Sequence, residues 1–348
     1  MESNSRRQGR RVVVTGATGN VGTSVVRALV QDPQITSVLA LARRRPALEI
    51  PKVEWGTVDL SRAESEDQLT DFVRGADAVV HLAWRFQPTH DPVVTWQSNV
   101  LGSRRVFEAV ARGAVPALVH ASSVGAYSPG PKDEPGVDED WPTDGWPDAA
   151  YCREKAYLER VLDTFELRHP HIRVVRMRPG FLFKETAAPE QRRIFAGRHV
   201  PGNLLRPDLL PFVPDLEGLR FQVLHTDDAA EAYRLAVLRD VRGPFNLAAS
   251  PVIDAHALAG LLGARIVRVP RTLVRTVLAG AWRAHAVPAS PHLFDAVLRL
   301  PVLDSGRARH LLDWQPVHTS EDALKAFLRG VREGAGEDTA PLAGRKIG

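Results

Sequence analysis

The sequence predicts an α/β fold: a doubly wound parallel sheet followed by a smaller, mostly helical C-terminal lobe. Three observations carry this. Short β-branched runs alternate with longer amphipathic stretches through the first half, a glycine-spaced turn joins the first run to the first amphipathic stretch, and after Pro179 the pattern gives way to Pro- and Leu-rich segments. Strands covered on both faces read as continuous apolar runs, and helices between them supply the crossovers that parallel pairing requires.

The runs in order are RVVVTG, SVLALA, VEWGTV, ADAVVHLAW, PALVHASS and IRVVRMRPG. Apolar residues recurring at three- and four-residue spacing predict helices over Val21–Val30, Glu64–Arg74, Val93–Arg112 and Ala150–His169. Strand-then-helix character returns once, at FQVLHTDDAAEAYRLAVL, and further helices are expected at Ala255–Leu262, Arg271–His285 and Ser320–Gly334. The chain thus divides into a sheet domain of residues 10–178 plus about 221–248 and a second lobe of 179–220 plus 249–333. Residues 1–9 and the Gly/Ala/Pro-rich stretch 334–348 read as flexible tails.

At 348 residues, 44% hydrophobic and 25% charged, the chain can bury a full core, and this balance excludes disordered and collagen-like classes. No apolar run approaches the roughly 18 residues of a spanning helix. The N-terminal MESNSRRQGRR lacks the apolar stretch of a secretion signal, so no membrane association and a cytoplasmic location are expected. The single Cys152 has no internal disulfide partner and reads as packing in a reducing compartment. A net charge of +4, scattered without a long basic block or an aromatic-interleaved stripe, argues against nucleic acid. No His/Cys cluster has metal-ligand spacing, so no metal is expected.

TGATGNVG follows the first strand directly and opens the first helix. In that position the glycines permit a tight turn, let the backbone approach a pyrophosphate and let the helix pack closely on the strand, while free N–H groups at the helix start attract the anion. Gly16, Thr18, Gly19, Asn20, Val21 and Gly22 therefore form a candidate dinucleotide cradle of the Rossmann type. An acidic residue some twenty positions on would grip the ribose of NAD, whereas basic residues accommodate the 2′-phosphate of NADP. The second strand ends LALARRRP, so Arg43, Arg44 or Arg45 favours NADP over NAD. Asp59, followed by Leu60, ends the third run as a candidate adenine contact, and His81, Leu82 and Ala83 lie where the fourth run meets the cofactor.

Tyr151 and Lys155, in YCREK, stand four apart at the start of a predicted helix and share one face. A free tyrosine titrates near pKa ~10, too high for proton exchange at neutral pH, and a nearby cation lowers it. Ser123, at the end of the fifth strand, is placed to hydrogen-bond a substrate oxygen, since ligands of open α/β sheets bind at strand ends. Asn99 has two readings, a bond to the local backbone or the holder of a proton-relay water.

With these motifs in order, joined by VDL containing Asp59, HLAW at 81–84, NVLGS from Asn99, HASSVGAY ending at Tyr127, RPG at 178–180, LHTDDAAEA and SGRARHLLDWQP, the chain resembles an extended short-chain dehydrogenase/reductase of the NAD-dependent epimerase/dehydratase family. The resemblance implies Ser123, Tyr151 and Lys155 as catalytic residues with Asn99 as an auxiliary. It also implies that Pro179 and Gly180 line the nicotinamide, and that a homodimer forms through the helices at Val93–Arg112 and Ala150–His169. Where dehydratases of the family carry Asp-Glu after the catalytic hydroxyl residue, Val124 and Gly125 stand here. Phe221 falls where sugar-nucleotide epimerases place an arginine, with Arg220 one position early.

Trp84, Arg85 and Phe86 replace the small residues that commonly end the HLAA motif, and Trp141 and Trp146 precede Tyr151 as pocket walls or loop anchors. Trp84, Ser123 and Phe181 are the expected contacts of a compact, partly apolar small-molecule substrate. Asp227 and Asp228 read as a helix start and domain-joining contacts. The implied activity is an NAD(P)-dependent oxidoreductase acting on a small carbonyl or alcohol. The alternatives are a sugar or sugar-nucleotide epimerase using transient oxidation and a non-catalytic cofactor-sensing protein. The arginine tract generates one prediction: NADPH binds more tightly than NADH, and equal dissociation constants would remove the basis for it.

Overall fold

Six expected apolar runs become strands, and a seventh joins them. Arg10–Thr15 (β1), Ile35–Ala42 (β2), Val53–Thr57 (β3), Ala78–His81 (β4), Ala117–Ala121 (β5), Arg173–Pro179 (β6) and Gly243–Leu247 (β10) form one parallel sheet in the order β3-β2-β1-β4-β5-β6-β10. The computed structural model describes residues 9–195 and 211–344. Because successive side chains of a strand point to opposite faces, Val12 and Val14 pack with Val25, Val26 and Leu29, whereas Val13 joins Leu69, Val106, Val110 and Leu158.

The helices that supply these partners are Asn20–Gln31 (α1), Ser65–Val73 (α2), Pro92–Trp96 (α3), Gly102–Arg112 (α4) and Ala150–Arg168 (α5). The helix expected over Val93–Arg112 is interrupted by a π-helical turn, Gln97–Leu101, between α3 and α4. Its start is fixed by Asp91, whose carboxylate accepts from the N–H groups of Val93 and Val94, with Pro92 in the first turn where its missing N–H costs nothing.

Beyond β6 the chain makes Phe181–Phe183 (β7), Ala188–Phe195 (α6), Phe212–Asp215 (β8), Val223–His225 (β9) and Thr226–Leu238 (α7), and after β10 Ala255–Leu262 (α8), Arg265–Arg268 (β11), Arg271–Arg283 (α9), Pro291–Val297 (α10), Gly306–Leu312 (α11) and Ser320–Glu333 (α12). Two short parallel pairs, β7 with β9 and β8 with β11, add strand character to the second lobe. Part of the expected second-lobe span 179–220 falls in 196–210, outside the described residues. Among the described residues no helix is long and apolar enough to cross a membrane.

Two boundaries need correction. The sequence places residues 249–333 in the second lobe, yet Ala308 and Leu312 of α11 and Trp314 just beyond it lie in the core of the sheet domain, with the Trp314 indole N–H donating to Asp228 O at 2.8 Å. Asp228 also accepts from the N–H of His318 at 2.9 Å, so it does join the chain's distant parts as expected. The stretch after Gly334, whose composition reads as a frayed tail, is folded back as a strap through residue 344. Leu342 is fully buried, Thr339 is 2% exposed, and Glu337 pairs with Arg27 at 3.0 Å and Lys184 at 3.2 Å. Small and polar residues without periodicity are held here by contacts hundreds of positions away, which composition does not register. Leu342→Ala is therefore expected to cost about 2–4 kcal/mol in urea denaturation, whereas a frayed leucine would leave stability within about 0.5 kcal/mol.

Candidate active site

The crevice lies where the strand order reverses, between β1 and β4, at the carboxyl ends of the strands. Gly16 turns there with φ +70°, and a Cβ on it would meet Ala83 N at 2.6 Å. A Cβ on Gly22 would meet Gly16 O at 2.2 Å, so the first turn of α1 lies directly on the loop. Gly19 is different: a Cβ there would meet Gly16 O at 3.6 Å and Glu190 Oε1 at 3.9 Å, in ordinary contact and without the clash seen at Gly16 and Gly22. The residues fit a dinucleotide's pyrophosphate, because an anionic oxygen is already bonded in this cradle. The N–H of Asn20 donates to Glu190 Oε2 at 3.1 Å, a side-chain carboxylate standing where a phosphate oxygen would be held. The Asn20 side chain is turned away, its Nδ2 donating to Leu182 O and its Oδ1 accepting from Thr226. Thr18 offers its main-chain carbonyl to Thr339 at 2.8 Å, so that carbonyl and the Asn20 side chain are both engaged within the chain.

Arg43, Arg44 and Arg45 are exposed just beyond β2, and none makes a hydrogen bond or ion pair among the described residues. Asp59 lies beyond β3, accepting from the N–H and hydroxyl of Ser61. Leu60 is buried against Gly102, so it presents no side chain to the crevice. His81 is a correction. Its ring is in the core, sharing hydrogens with Thr15 Oγ1 at 2.7 Å and Ser103 Oγ at 2.8 Å, and burial lowers its pKa to about 3. Leu82 and Ala83 follow it at the strand end beside the glycine loop.

On the other side of the crevice the expected trio assembles. The Tyr151 hydroxyl donates to Ser123 Oγ at 2.8 Å. Ser123 caps a short 3-10 turn, its Oγ accepting from Gly125 N at 3.0 Å. Gly125 has a reason of its own: a Cβ there would meet Tyr151 Cε1 at 2.6 Å, so only glycine lets the ring lie down beside Ser123. Lys155, one turn further along α5, donates to Ala121 O at 2.6 Å, at the end of β5.

The electrostatics depart from expectation. The sequence predicts that the Lys155 ammonium lowers the Tyr151 pKa, but burial pushes that phenol up, with the Ser123 hydrogen bond pulling the other way. Lys155 sits over the face of Trp84, 3.5 Å from its ring centre, and burial lowers its amine to about 7 against the pull of Glu154 and Glu159. Each group loses more in leaving water than its neighbours return, Ser123 for the phenol and Glu154 and Glu159 for the amine.

Trp84 thus stands at the site as expected, edge-on to Tyr151 with ring centres 5.6 Å apart, and Phe86 stacks on Tyr151 at 4.9 Å. Phe181 lines a small cavity next to Ser123 together with Val124, Phe221, Leu300 and Pro301. Pro179 is buried at the end of β6, and Gly180 is held to Leu247 O at 2.9 Å. Trp141 and Trp146 are loop anchors: the first donates to Ser128 O and the second lies under Arg299.

Asn99 resolves in favour of the backbone. Its Oδ1 accepts from Arg85 N at 2.7 Å, and its Nδ2 donates to Arg85 O at 2.9 Å and Glu154 Oε2 at 2.6 Å. Both donors are used, leaving none for a relay water, so Asn99 clamps the loop that carries Trp84 and Phe86. Glu154, buried and also accepting from Thr95 at 2.6 Å, was not singled out in the sequence; a charge between the paired Tyr and Lys gives no signal of burial.

A model of the NAD dependent epimerase/dehydratase family matches residues 12–248. UDP-glucose 4-epimerase of Azospirillum brasilense is 27% identical over 95% of this chain and 95% of its own. L-arabinose 1-dehydrogenase (NAD(P)(+)) of Haloferax volcanii is 34% identical over 32% of this chain and 41% of its own. The crystal structure of dTDP-glucose 4,6-dehydratase from Streptomyces venezuelae, with NAD bound, superposes with a TM-score of 0.68 at 20% identity, over 93% of this chain and 97% of that one. The last likeness is one of fold.

The depressed amine of Lys155 fixes a sign. Below pH about 7 the folded chain holds a buried ammonium at a cost the unfolded chain does not bear; between 7 and the ordinary 10.5 only the unfolded chain keeps the proton, so this group's cost falls as pH rises. Lys155→Met is expected to gain most over the parent near pH ~6 and progressively less toward pH ~10 in urea denaturation. A gain independent of pH would contradict the assignment.

Proposed function

The chain belongs to the NAD dependent epimerase/dehydratase family, a family of enzymes, and from that membership we propose that it is an NADP(H)-linked reductase or dehydrogenase of a small carbonyl or alcohol. The observation that carries this reading is the 2.8 Å bond between the Tyr151 hydroxyl and Ser123 Oγ at the strand-end crevice. Ser123 holds the substrate oxygen, and Tyr151 exchanges a proton with it. Lys155 supplies positive charge in the same space, and Trp84 and Phe86 exclude water from the phenol. The main chain of Gly16–Gly22 holds the pyrophosphate, and Asp59, Leu82, Ala83, Pro179 and Gly180 border the rest of the cofactor. A bound nicotinamide supplies or accepts the hydride.

NADP in preference to NAD is supported by the three unpaired guanidinium groups after β2. A compact substrate is supported by the small cavity lined by Val124, Phe181, Phe221, Leu300 and Pro301 together with Gln222 and Arg220, the last of which is paired with Asp133. Exposed Val93, Trp96, Tyr157 and Leu167 on α3 and α5 support a homodimer through those helices. The full-length likeness to an epimerase favours a second reading, transient oxidation with return of the hydride to the other face.

The two readings separate by cofactor balance. A reductase consumes NADPH in proportion to product from a panel of small ketones and aldehydes, whereas an epimerase turns over with no net change in absorbance. Tyr151→Phe is expected to lower turnover by about 10²–10⁴-fold, with the NADPH dissociation constant within about twofold of the parent's. Surviving turnover would remove Tyr151 from the chemistry.

A further inference from the structure

The pyrophosphate cradle is closed by the chain itself. Glu190, on α6, reaches the first N–H of α1, and its second oxygen lies 3.9 Å from where a Cβ on Gly19 would stand. We propose that Glu190 is an internal anion that a dinucleotide's pyrophosphate must displace, so that cofactor affinity is set by competition between two anions for one helix N-terminus. This rests on the dinucleotide reading above.

Three observations make the contact a built one. Neighbours of Glu190 are fixed: Ala188 and Pro189 are buried, Gln191 donates to Leu182 O at 3.2 Å, and Arg193 bonds Pro341 O in the C-terminal strap. The strap in turn holds the glycine loop through Thr339 and Thr18, and α1 through Glu337 and Arg27. A glutamate at this position, with burial raising its pKa against the Asn20 bond and the charges of Arg193 and Lys184, has no other hydrogen-bond partner among the described residues. Two like charges cannot share one N-terminus, so a phosphate arriving at Asn20 expels the carboxylate and pulls on α6 and, through Arg193, on the strap.

The consequence is a dinucleotide affinity lower than the cradle alone would give. NADPH titrations of the parent, Glu190→Gln and Glu190→Ala, followed by nicotinamide fluorescence, are expected to show binding at least about fivefold tighter in both variants. In the parent, saturating NADPH is also expected to speed amide exchange across residues 188–195. Unchanged or weaker binding in both variants, or exchange that slows in 188–195, overturns the proposal while leaving the dinucleotide reading intact. If neither NADPH nor NADH binds the parent or either variant at millimolar concentration, the dinucleotide reading falls and the proposal with it.

Discussion

The site depends on one buried carboxylate, Glu159, which lies one turn beyond Lys155 on α5. It accepts from Ser122 at 2.6 Å, from Arg178 through both oxygens at 3.0 and 2.9 Å, and from Arg176 at 3.0 Å. Burial alone would raise its pKa, but the two guanidinium groups and Ser122 win and hold it at about 2. The three partners come from the residue just after β5 and from two positions of β6, so a single charge fixes both the rotation of α5 and its height over the sheet. A helix free to turn by one residue would swing Tyr151 and Lys155 about 100° away from the strand ends. Removing any one partner strands the others in a dry interior, which is why such networks are costly to break though their net contribution is modest.

Above this clamp, desolvation sets the resting state of the chemistry. Burial drives Lys155 and Tyr151 each toward the neutral form, and the face of Trp84 under the amine is a cation–π contact that opposes this for Lys155. A charge or hydrogen-bond donor brought beside such a phenol is what lowers its pKa. Asn99 and Glu154 bear on this indirectly, by holding the loop that carries Trp84 and Phe86.

What was legible in the sequence is what contiguous residues encode. The sheet, the glycine loop and the Tyr151–Lys155 pair each announce themselves within a few positions, because a strand, a turn and one helix face are local objects. His81 was misplaced because the strand end is visible in the sequence but the pleat is not, and the pleat sends its ring to Thr15 and Ser103. Asn99 showed two chemistries and only Arg85 and Glu154, distant in sequence, choose between them. The strap was missed for the same reason: Thr339 finds its partner in Thr18, across nearly the whole chain.

Glu190 links these themes. A helix N-terminus leaves backbone donors without partners, and burying one unsatisfied costs free energy comparable to a lost hydrogen bond. At the glycine loop the chain meets that requirement for Asn20 with a carboxylate of its own, Glu190. Any phosphate that binds gains only the difference between its own interaction and the one it replaces, since a ligand shifts an equilibrium by no more than its differential affinity for the two states. Cofactor binding, packing of α6 and seating of the C-terminal segment are thus one equilibrium, with Asn20 N–H as the atom on which it turns.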